Sequence, residues 1–423
     1  MKPARLFKLV FLSLLIVLSA ASIHAQVTAI KAGKLLDPET GTITANQIIL
    51  VEGQAIKAIG PDVKIPDGAS IIDLSNRTVL PGLFDAHTHL CMTTKRGRHG
   101  GKYYFTTLVD SNAYRAIQGV VNARSMLETG FTTVRDVGNS GNYIDSDLRR
   151  SIQEGLVPGP TIINAGRIIA PYGGQFQLQP DKPGLGNPEY AYADTRDELK
   201  KAVRENIHYG ARVIKLVVDD QPYIYSVDDI RFVIEEAARA GLKVAAHAWT
   251  EAGTRNAAEA GVASIEHGFF ASEETFAIAK RNGVVLVPTP VTELGAYELN
   301  LSGTYQQVNQ GWFITPVKRA YQNGVTLVFG PDVIITPEGY TRGGLSIATI
   351  DNWVEAGIPA KVILQALTTN AARLLGVEKE RGALRVGMKA DIIATVANPL
   401  ENIQTLKSVT FVMKNGGVFK REK

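Results

Sequence analysis

Five side chains that can bind metals or move protons stand at the ends of apolar segments in this chain of 423 residues. They are His87, His89, His247, His267 and Asp332. Residues two apart on a strand point the same way, so His87 and His89 can reach one ion from a rigid edge. Each of the other three alone could be a hydrogen-bonded structural histidine or a capping acid. Their shared position at strand ends predicts a metal site.

Lys215 lies inside the apolar segment 213–218, where a lone cation is unusual. A buried ammonium group is costly unless it is paired or neutralised. One interpretation is that the side chain extends to water at the strand end. The other is that Lys215 reacts with carbon dioxide, and that the resulting carbamate bridges two metal ions.

The middle of the chain alternates between apolar segments typical of strands and helical patterns. The strand candidates are residues 78–84, 132–134, 161–164, 213–218, 244–246, 263–265, 284–287 and 325–329. This alternation predicts an α/β fold with a TIM-type (β/α)8 barrel over residues 81–380. In such a barrel the strand ends open onto the active site, which is where the histidines stand. A doubly wound open sheet is the alternative.

Both ends of the mature chain are rich in short strands and turns. Gly53 and Gly60 separate strand-like segments near the start, and residues 414–417 have the pattern of a hairpin turn near the end. We therefore expect residues 26–80 and 381–423 to build one small composite β domain.

Residues 1–25 have the order of a secretory signal peptide. Three cations come first, an apolar run over residues 9–18 follows, and small residues precede the expected cleavage after Ala25. A membrane anchor is the alternative, but the run is short for a span of roughly 20 residues. We expect a periplasmic or secreted protein without a stable membrane anchor after cleavage.

Composition narrows the classes of function. With 45% hydrophobic and 20% charged residues, the chain has the composition of a globular protein. Loss of the three cations in the signal segment lowers the formal net charge from +4 to +1, and no basic run indicates a nucleic-acid partner. Cys91 is the only cysteine, so no intrachain disulfide can form. The oligomeric state is left open.

The chain resembles the amidohydrolase superfamily over almost its whole mature length. The resemblance rests on the five residues named first, on Lys215, and on the segments 81–90 (PGLFDAHTHL), 369–376 (TNAARLLG) and 387–393 (GMKADII). The segments 133–138 (TVRDVG) and 264–268 (SIEHG) are similar to the imidazolonepropionase-related group. The lysine on the fourth strand is similar to the binuclear Xaa-Pro dipeptidase-like branch of that group.

This resemblance implies a site with two divalent ions, with zinc expected and manganese or cobalt also compatible. His87, His89 and Asp332 would bind one ion. His247 and His267 would bind the second, and carboxylated Lys215 would bridge the two. A hydroxide shared by the ions would attack an amide carbonyl, with Asp332 as general base and then general acid toward the leaving amine.

The expected function is hydrolysis of a dipeptide or another small amide, as in a dipeptidase or prolidase. A cyclic amide hydrolase of the imidazolonepropionase type and a deaminase are alternatives on the same scaffold. A metal-binding protein without catalysis is a third hypothesis. It is disfavoured by Asp332, because pure binding needs no acid placed for proton transfer.

Four residues are candidates for substrate contact: Arg135, Tyr172, Tyr223 and Trp249. Arg135 could pair with a substrate carboxylate or with its neighbour Asp136. Trp249 stands where related dipeptidases often have a second histidine, so we expect it to reshape the pocket. The loops that carry these residues follow barrel strands, the usual place for substrate recognition.

Overall fold

The computed structural model describes residues 27–176 and 178–422, so the predicted signal segment 1–25 lies outside the described residues. The strands are β1 (Val27–Asp37), β2 (Thr42–Glu52), β3 (Ala55–Gly60), β4 (Ser70–Pro81), β5 (Leu83–Thr88), β6 (Phe131–Asp136), β7 (Thr161–Asn164), β8 (Ile168–Ala170), β9 (Tyr190–Tyr192), β10 (Ile214–Val217), β11 (Val244–Ala248), β12 (Ser264–His267), β13 (Val285–Val287), β14 (Ile392–Thr395), β15 (Phe411–Lys414) and β16 (Gly417–Arg421).

The α-helices lie mainly between the barrel strands. They are α1 (Arg96–His99), α2 (Phe105–Val109), α3 (Asn112–Thr129), α4 (Ile144–Gln153), α5 (Arg196–His208), α6 (Val227–Ala238), α7 (Glu251–Ala260), α8 (Glu273–Arg281), α9 (Glu293–Glu298), α10 (Tyr305–Asn309), α11 (Thr315–Gln322), α12 (Arg342–Ala348), α13 (Ile350–Glu355), α14 (Ala360–Ala366) and α15 (Thr369–Leu375). Several begin at a residue whose side chain accepts a backbone N–H, such as Thr195 before α5 and Ser226 before α6. Within the described ranges, none of the helices is both apolar and long enough to cross a bilayer.

Strands from both ends of the chain form one seven-stranded sheet. Its order is β16-β15-β14-β4-β1-β2-β3, and β14 pairs antiparallel with β4 to join the C-terminal strands to the N-terminal ones. Asn415 and Gly416 adopt positive φ values of 48° and 77° in the turn between β15 and β16, as a tight hairpin requires. The composite β domain predicted from the sequence is confirmed.

Parallel strands and one further segment build the predicted barrel. β5, β6 and β7 pair in one run, and β8, β10, β11, β12 and β13 pair in another. The amides of Arg212 and Val213 both donate to the carbonyl of Asn164, which links the end of β7 to the start of β10. β5, β6 and β10 are buried along their whole length, as expected when both faces of a parallel sheet are covered.

The eighth strand position is an extended segment around residues 326–330 with a single bridge, Leu286 to Leu327. The amide of Val328 donates to the carbonyl of Leu286, and the amide of Ala86 donates to the carbonyl of Phe329. The segment therefore bonds to β13 on one side and β5 on the other. This closure excludes the open doubly wound sheet.

The segment 78–84, predicted as one strand, is two strands in the structure. Residues 78–81 end β4 in the β domain, and β5 begins the barrel at Leu83. Gly82 separates them, and a Cβ at this position would lie 2.2 Å from the Thr132 hydroxyl oxygen. The chain thus passes from one domain to the other at a point where only glycine fits against β6.

Candidate metal centre and substrate cavity

The ends of five barrel strands bring the six predicted metal-binding residues to one cavity of about 340 Å³. His87 comes from β5, Lys215 from β10, His247 from β11 and His267 from β12. The cavity lining also includes His89, just past β5, and Asp332, just past the eighth strand position. Residues separated by up to 245 positions therefore meet at the carboxyl ends of the strands, where TIM barrels carry their active sites.

The imidazoles form a compact cluster around Asp332. The ring centres of His87 and His267 are 5.2 Å apart, and those of His247 and His267 are 4.5 Å apart. Oδ1 of Asp332 lies 3.3 Å from Nε2 of His89 and 3.7 Å from Nε2 of His87. Ligand atoms of His87, His267 and Asp332 all lie within 4.8 Å of one another, a spacing that one ion can span.

Three buried polar atoms of the cluster have no hydrogen-bond partner among the described residues: Nζ of Lys215, Nε2 of His247 and Oδ1 of Asp332. Buried polar groups are normally paired, so these atoms mark a place for a ligand. An amine, an imidazole and a carboxylate together suit divalent metal ions, provided the amine is converted to an anionic donor. The donor set fits the metals that the sequence predicts.

The Nδ1 atoms of three histidines are bonded to groups outside the cluster of predicted metal-binding residues. Nδ1 of His87 lies 2.8 Å from Oε2 of Glu266, and Nδ1 of His89 lies 2.7 Å from the carbonyl of Gly138. Nδ1 of His267 lies 2.8 Å from the hydroxyl of Thr289. A carboxylate and a carbonyl can only accept, so His87 and His89 donate from Nδ1. Their Nε2 atoms are thereby left free to ligate.

Burial favours the neutral form of His87 and His267, which is the form that binds metals. It lowers the pKa of His87 to about 4 and the pKa of His267 well below its usual value. Burial also lowers the pKa of His89, but Asp332, Asp136 and the hydrogen bond to the Gly138 carbonyl together raise it by more, so the net shift is upward. The pKa of Lys215 falls to about 8 because its ammonium is cut off from water. Lys215 is therefore far closer to its neutral, nucleophilic amine near pH 7 than an exposed lysine is.

Arg135 lies outside the cavity lining, and its partner is Glu266 rather than Asp136. Its guanidinium donates to Oε1 of Glu266 at 2.6 Å, to the Ser264 hydroxyl at 2.9 Å and to the Ala86 carbonyl at 2.6 Å. Arg135 is 2% exposed and lies behind the cavity wall. The sequence could not reveal this pair, because 131 positions separate the two residues. Arg135 fixes the carboxylate that orients His87.

Tyr172 and Tyr223 are also absent from the cavity lining of the described chain. They are 51% and 49% exposed, and the Tyr223 hydroxyl donates to the Tyr172 carbonyl at 2.6 Å. The loops after the third and fourth strand positions bond to each other here instead of turning these rings inward. The structure therefore does not bring the two tyrosines together with the predicted metal-binding residues.

Trp249 does line the cavity, as part of an aromatic wall that sequence reasoning missed. Its ring centre is 5.2 Å from that of Phe269 and 5.5 Å from that of Trp312. Phe269 and Trp312 stack at 5.5 Å. Phe269 stands two residues after His267 just as Trp249 stands two residues after His247, which is a signal that could have found it. No comparable spacing points to Trp312.

Comparison with known proteins agrees with this geometry. Residues 78–419 match the model of the amidohydrolase family. The chain belongs to the amidohydrolase family. It is 30% identical to an ochratoxinase of Aspergillus niger over 95% of this chain and 88% of the relative. It is also 26% identical to an imidazolonepropionase of Symbiobacterium thermophilum over 80% of this chain and 81% of the relative.

Among solved structures, a Xaa-Pro dipeptidase with bound methionine in its active site has a TM-score of 0.82 to this amidohydrolase. The two are 29% identical, and the match covers 93% of this chain and 100% of the other. The predicted superfamily and fold are confirmed. The protein is a metal-dependent hydrolase of carbon–nitrogen bonds, and amide bonds are the class it cleaves.

Proposed function

We propose that this amidohydrolase hydrolyses small N-acylated amino acids or dipeptides that carry an aromatic group, using two divalent ions. The observation that carries the proposal is the cavity, where the histidine cluster faces an aromatic wall. Its volume of about 340 Å³ suits a dipeptide-sized ligand. The names of two relatives, an ochratoxinase and a Xaa-Pro dipeptidase, support an amide substrate.

Two groups of residues would hold the ions, with zinc the expected metal. His87, His89 and Asp332 would bind one, His247 and His267 the other. Carboxylated Lys215 would bridge them: its neutral amine adds to carbon dioxide, a C–N bond forms and one proton leaves to water. The lowered pKa of Lys215 supports this step, because only the neutral amine reacts. Bound ions supply an activated water near neutral pH and positive charge that polarises the amide carbonyl.

The residues of the chain would do the remaining work. Burial raises the pKa of Asp332, but His87, His89 and Lys215 together lower it by more, so Asp332 is ionised at neutral pH and can accept a proton. It would return that proton to the leaving amine. The wall of Trp249, Phe269 and Trp312 would bind the aromatic part of the substrate and keep bulk water away.

Trp249 also favours substrates with a hydrogen-bond acceptor near the aromatic group. Its indole Nε1 is buried and has no hydrogen-bond partner among the described residues. A substrate oxygen at this position would satisfy the donor. An N-acyl amino acid or dipeptide with an aromatic side chain offers both features, whereas a small polar dipeptide offers only one.

We also propose that the protein acts outside the cytoplasm after cleavage behind Ala25. The order of charged, apolar and small residues over positions 1–25 supports export. The mass of the chain purified from the cell envelope or medium tests this: the mature protein should begin at Gln26. A full-length chain confined to the cytoplasm would contradict it.

The proposed activity is tested by loading wild type and Lys215→Ala with Zn²⁺ and measuring both metal content and hydrolysis. The substrate panel contains N-acyl-phenylalanine and N-acyl-tryptophan, ochratoxin, Xaa-Pro dipeptides and polar dipeptides. We expect about two ions per chain in the wild type and fewer in Lys215→Ala, because the bridge is lost. The aromatic amides should have the highest kcat/KM.

Lys243→Ala is the matched control. Lys243 precedes β11 at the opposite end of the barrel, where Nζ donates to the carbonyl of Arg373 at 2.8 Å. This variant should keep its metal and its activity. One ion per chain in the wild type, unaffected by Lys215→Ala, would refute the two-ion site. A preference for polar dipeptides over aromatic amides would refute the substrate class.

A further inference from the structure

Asp220 has a backbone conformation that is unusual for its residue type. It lies three residues after β10, with φ of +92°. His267 and Asp332 also have positive φ, at 76° and 54°, and both are residues of the metal centre at strand ends. Such a conformation is strained for a non-glycine residue, and residues that adopt it concentrate at functional sites. The strained backbone of Asp220 therefore indicates that its side chain has a functional role.

The strained backbone aims the Asp220 carboxylate at the metal centre. Oδ2 lies 3.0 Å from Nε2 of His247, a side chain that is 4% exposed. That Nε2 atom has no partner with hydrogen-bond geometry among the described residues. Gln175, which lines the cavity, donates to the same Oδ2 at 2.7 Å and holds it in place. A carboxylate oxygen and an unpaired imidazole nitrogen thus converge at the edge of the cavity.

The adjacent acid, Asp219, has a different and purely structural use. Its Oδ2 accepts from the amides of Trp249 and Thr250, at 3.0 Å and 2.8 Å. Its nearest oxygen is 3.9 Å from Nε2 of His247. Asp219 therefore anchors the loop that starts α7, and Asp220 alone is free to face the imidazole.

We propose that Asp220 is a further ligand of the ion held by His247 and His267, an inference that rests on the two-ion function proposed above. Zinc–nitrogen and zinc–oxygen bonds are about 2.0–2.2 Å, so two ligand atoms of one ion lie about 3.3–3.6 Å apart at the tetrahedral angle and about 2.8–3.1 Å apart at the angles near 90° of a five-coordinate ion. The separation of 3.0 Å between Oδ2 and Nε2 matches the spacing of a five-coordinate ion. A second carboxylate would add negative charge to the donor set and strengthen retention of this ion.

The ligand role is tested with Asp220→Gly and Asp220→Asn. Glycine adopts positive φ without strain, so Asp220→Gly removes the carboxylate while preserving the backbone. Wild type and variants are loaded with Zn²⁺ or Co²⁺ and dialysed against graded chelator. We expect both variants to lose one ion at a chelator concentration at least about 10-fold lower than the wild type requires. The visible spectrum of bound Co²⁺ should also differ from that of wild type.

Asp228→Asn is the control, because Asp228 is an exposed acid in the first turn of α6. It should retain wild-type metal content, and circular dichroism should show that every variant is folded. If Asp220→Gly held two ions as tightly as wild type and its Co²⁺ spectrum were unchanged, the ligand role would be overturned. The two-ion function would remain intact. Retained metal together with a higher KM only for substrates that carry a free amine would also overturn the ligand role, because Asp220 would then bind the substrate amine. One ion in wild type and variant alike would overturn both proposals.

Discussion

At the scale of single residues, the candidate site depends on charges that are buried in pairs. Glu266 is fully buried, and burial alone would raise its pKa. Arg135 and His87 reverse this effect, so the pKa of Glu266 lies below its ordinary value and the carboxylate stays ionised. Loss of one partner in such a pair leaves an uncompensated charge, which costs about 3–5 kcal/mol. Arg135, which the sequence allowed to pair with a substrate carboxylate or with Asp136, instead stabilises the carboxylate that orients His87, a predicted metal ligand.

Replacement of Asp332 by asparagine separates metal binding from catalysis. Asparagine keeps an oxygen near Nε2 of His89, where Oδ1 of Asp332 lies at 3.3 Å, but an amide cannot take up the proton. We expect Asp332→Asn to retain most of its metal and to lose on the order of 10²–10⁴-fold in kcat. Metal analysis and steady-state kinetics on the same preparation measure the two effects.

Asp145→Asn is a suitable control for this substitution. Asp145 is another buried acid, but burial raises its pKa to about 7, and it accepts from the amide of Gly166 away from the cavity. Its amide variant should turn over substrate at close to the wild-type rate. Unchanged kcat in Asp332→Asn would exclude the proton-transfer role of Asp332.

At the scale of elements, the sequence predicts what each strand carries but not what meets across the barrel. His87, His247 and His267 could be found because each ends an apolar segment that the fold must bury. The eighth strand position was also found, although the segment makes only one bridge. Two contacts could not be found from the sequence, because loop paths and side-chain directions determine them. They are the ion pair of Arg135 with Glu266 and the contact of Trp249 with Trp312. The position of Tyr172 and Tyr223 outside the cavity lining also depends on loop paths that the sequence does not reveal.

Gly330 is where the eighth strand position passes closest to the site. A Cβ there would lie 2.5 Å from Cγ1 of Val287 and 2.9 Å from the amide nitrogen of His87. Gly330→Ala must therefore move the segment or β5, which would displace both Asp332 and His87. We expect a loss of about 1–3 kcal/mol in unfolding free energy and weaker metal retention. Thermal unfolding with and without Zn²⁺ measures both.

Gly97→Ala provides the comparison, because a Cβ at Gly97 meets no atom within 4 Å. This variant should match wild type in stability and metal content. If Gly330→Ala also matched wild type in both, the close packing of the eighth strand position against β5 would not matter for the site.

At the scale of the whole molecule, the β domain is joined to the barrel by buried polar contacts as well as by the chain. Lys414, the last residue of β15, donates from Nζ to the carbonyl of Gly159 at 2.8 Å, just before β7. Burial lowers the pKa of Lys414 from 10.5 to about 8. The unfolded chain therefore binds more protons than the folded one between these two values, so this group makes stability rise with pH across that window.

Lys414→Met should remove this pH dependence. Below about pH 8 the wild type keeps a buried charge that costs up to about 3 kcal/mol, and the cost disappears as the folded lysine deprotonates. Urea titrations at several pH values measure the unfolding free energy of both proteins. The value for wild type minus the value for Lys414→Met should therefore increase as pH rises from about 8 to 10.5. Lys57→Met, which changes an exposed lysine of the same sheet, should follow wild type at every pH. Parallel curves for wild type and Lys414→Met would show that Lys414 stays protonated in the fold, and that the junction between the domains holds a charged lysine throughout.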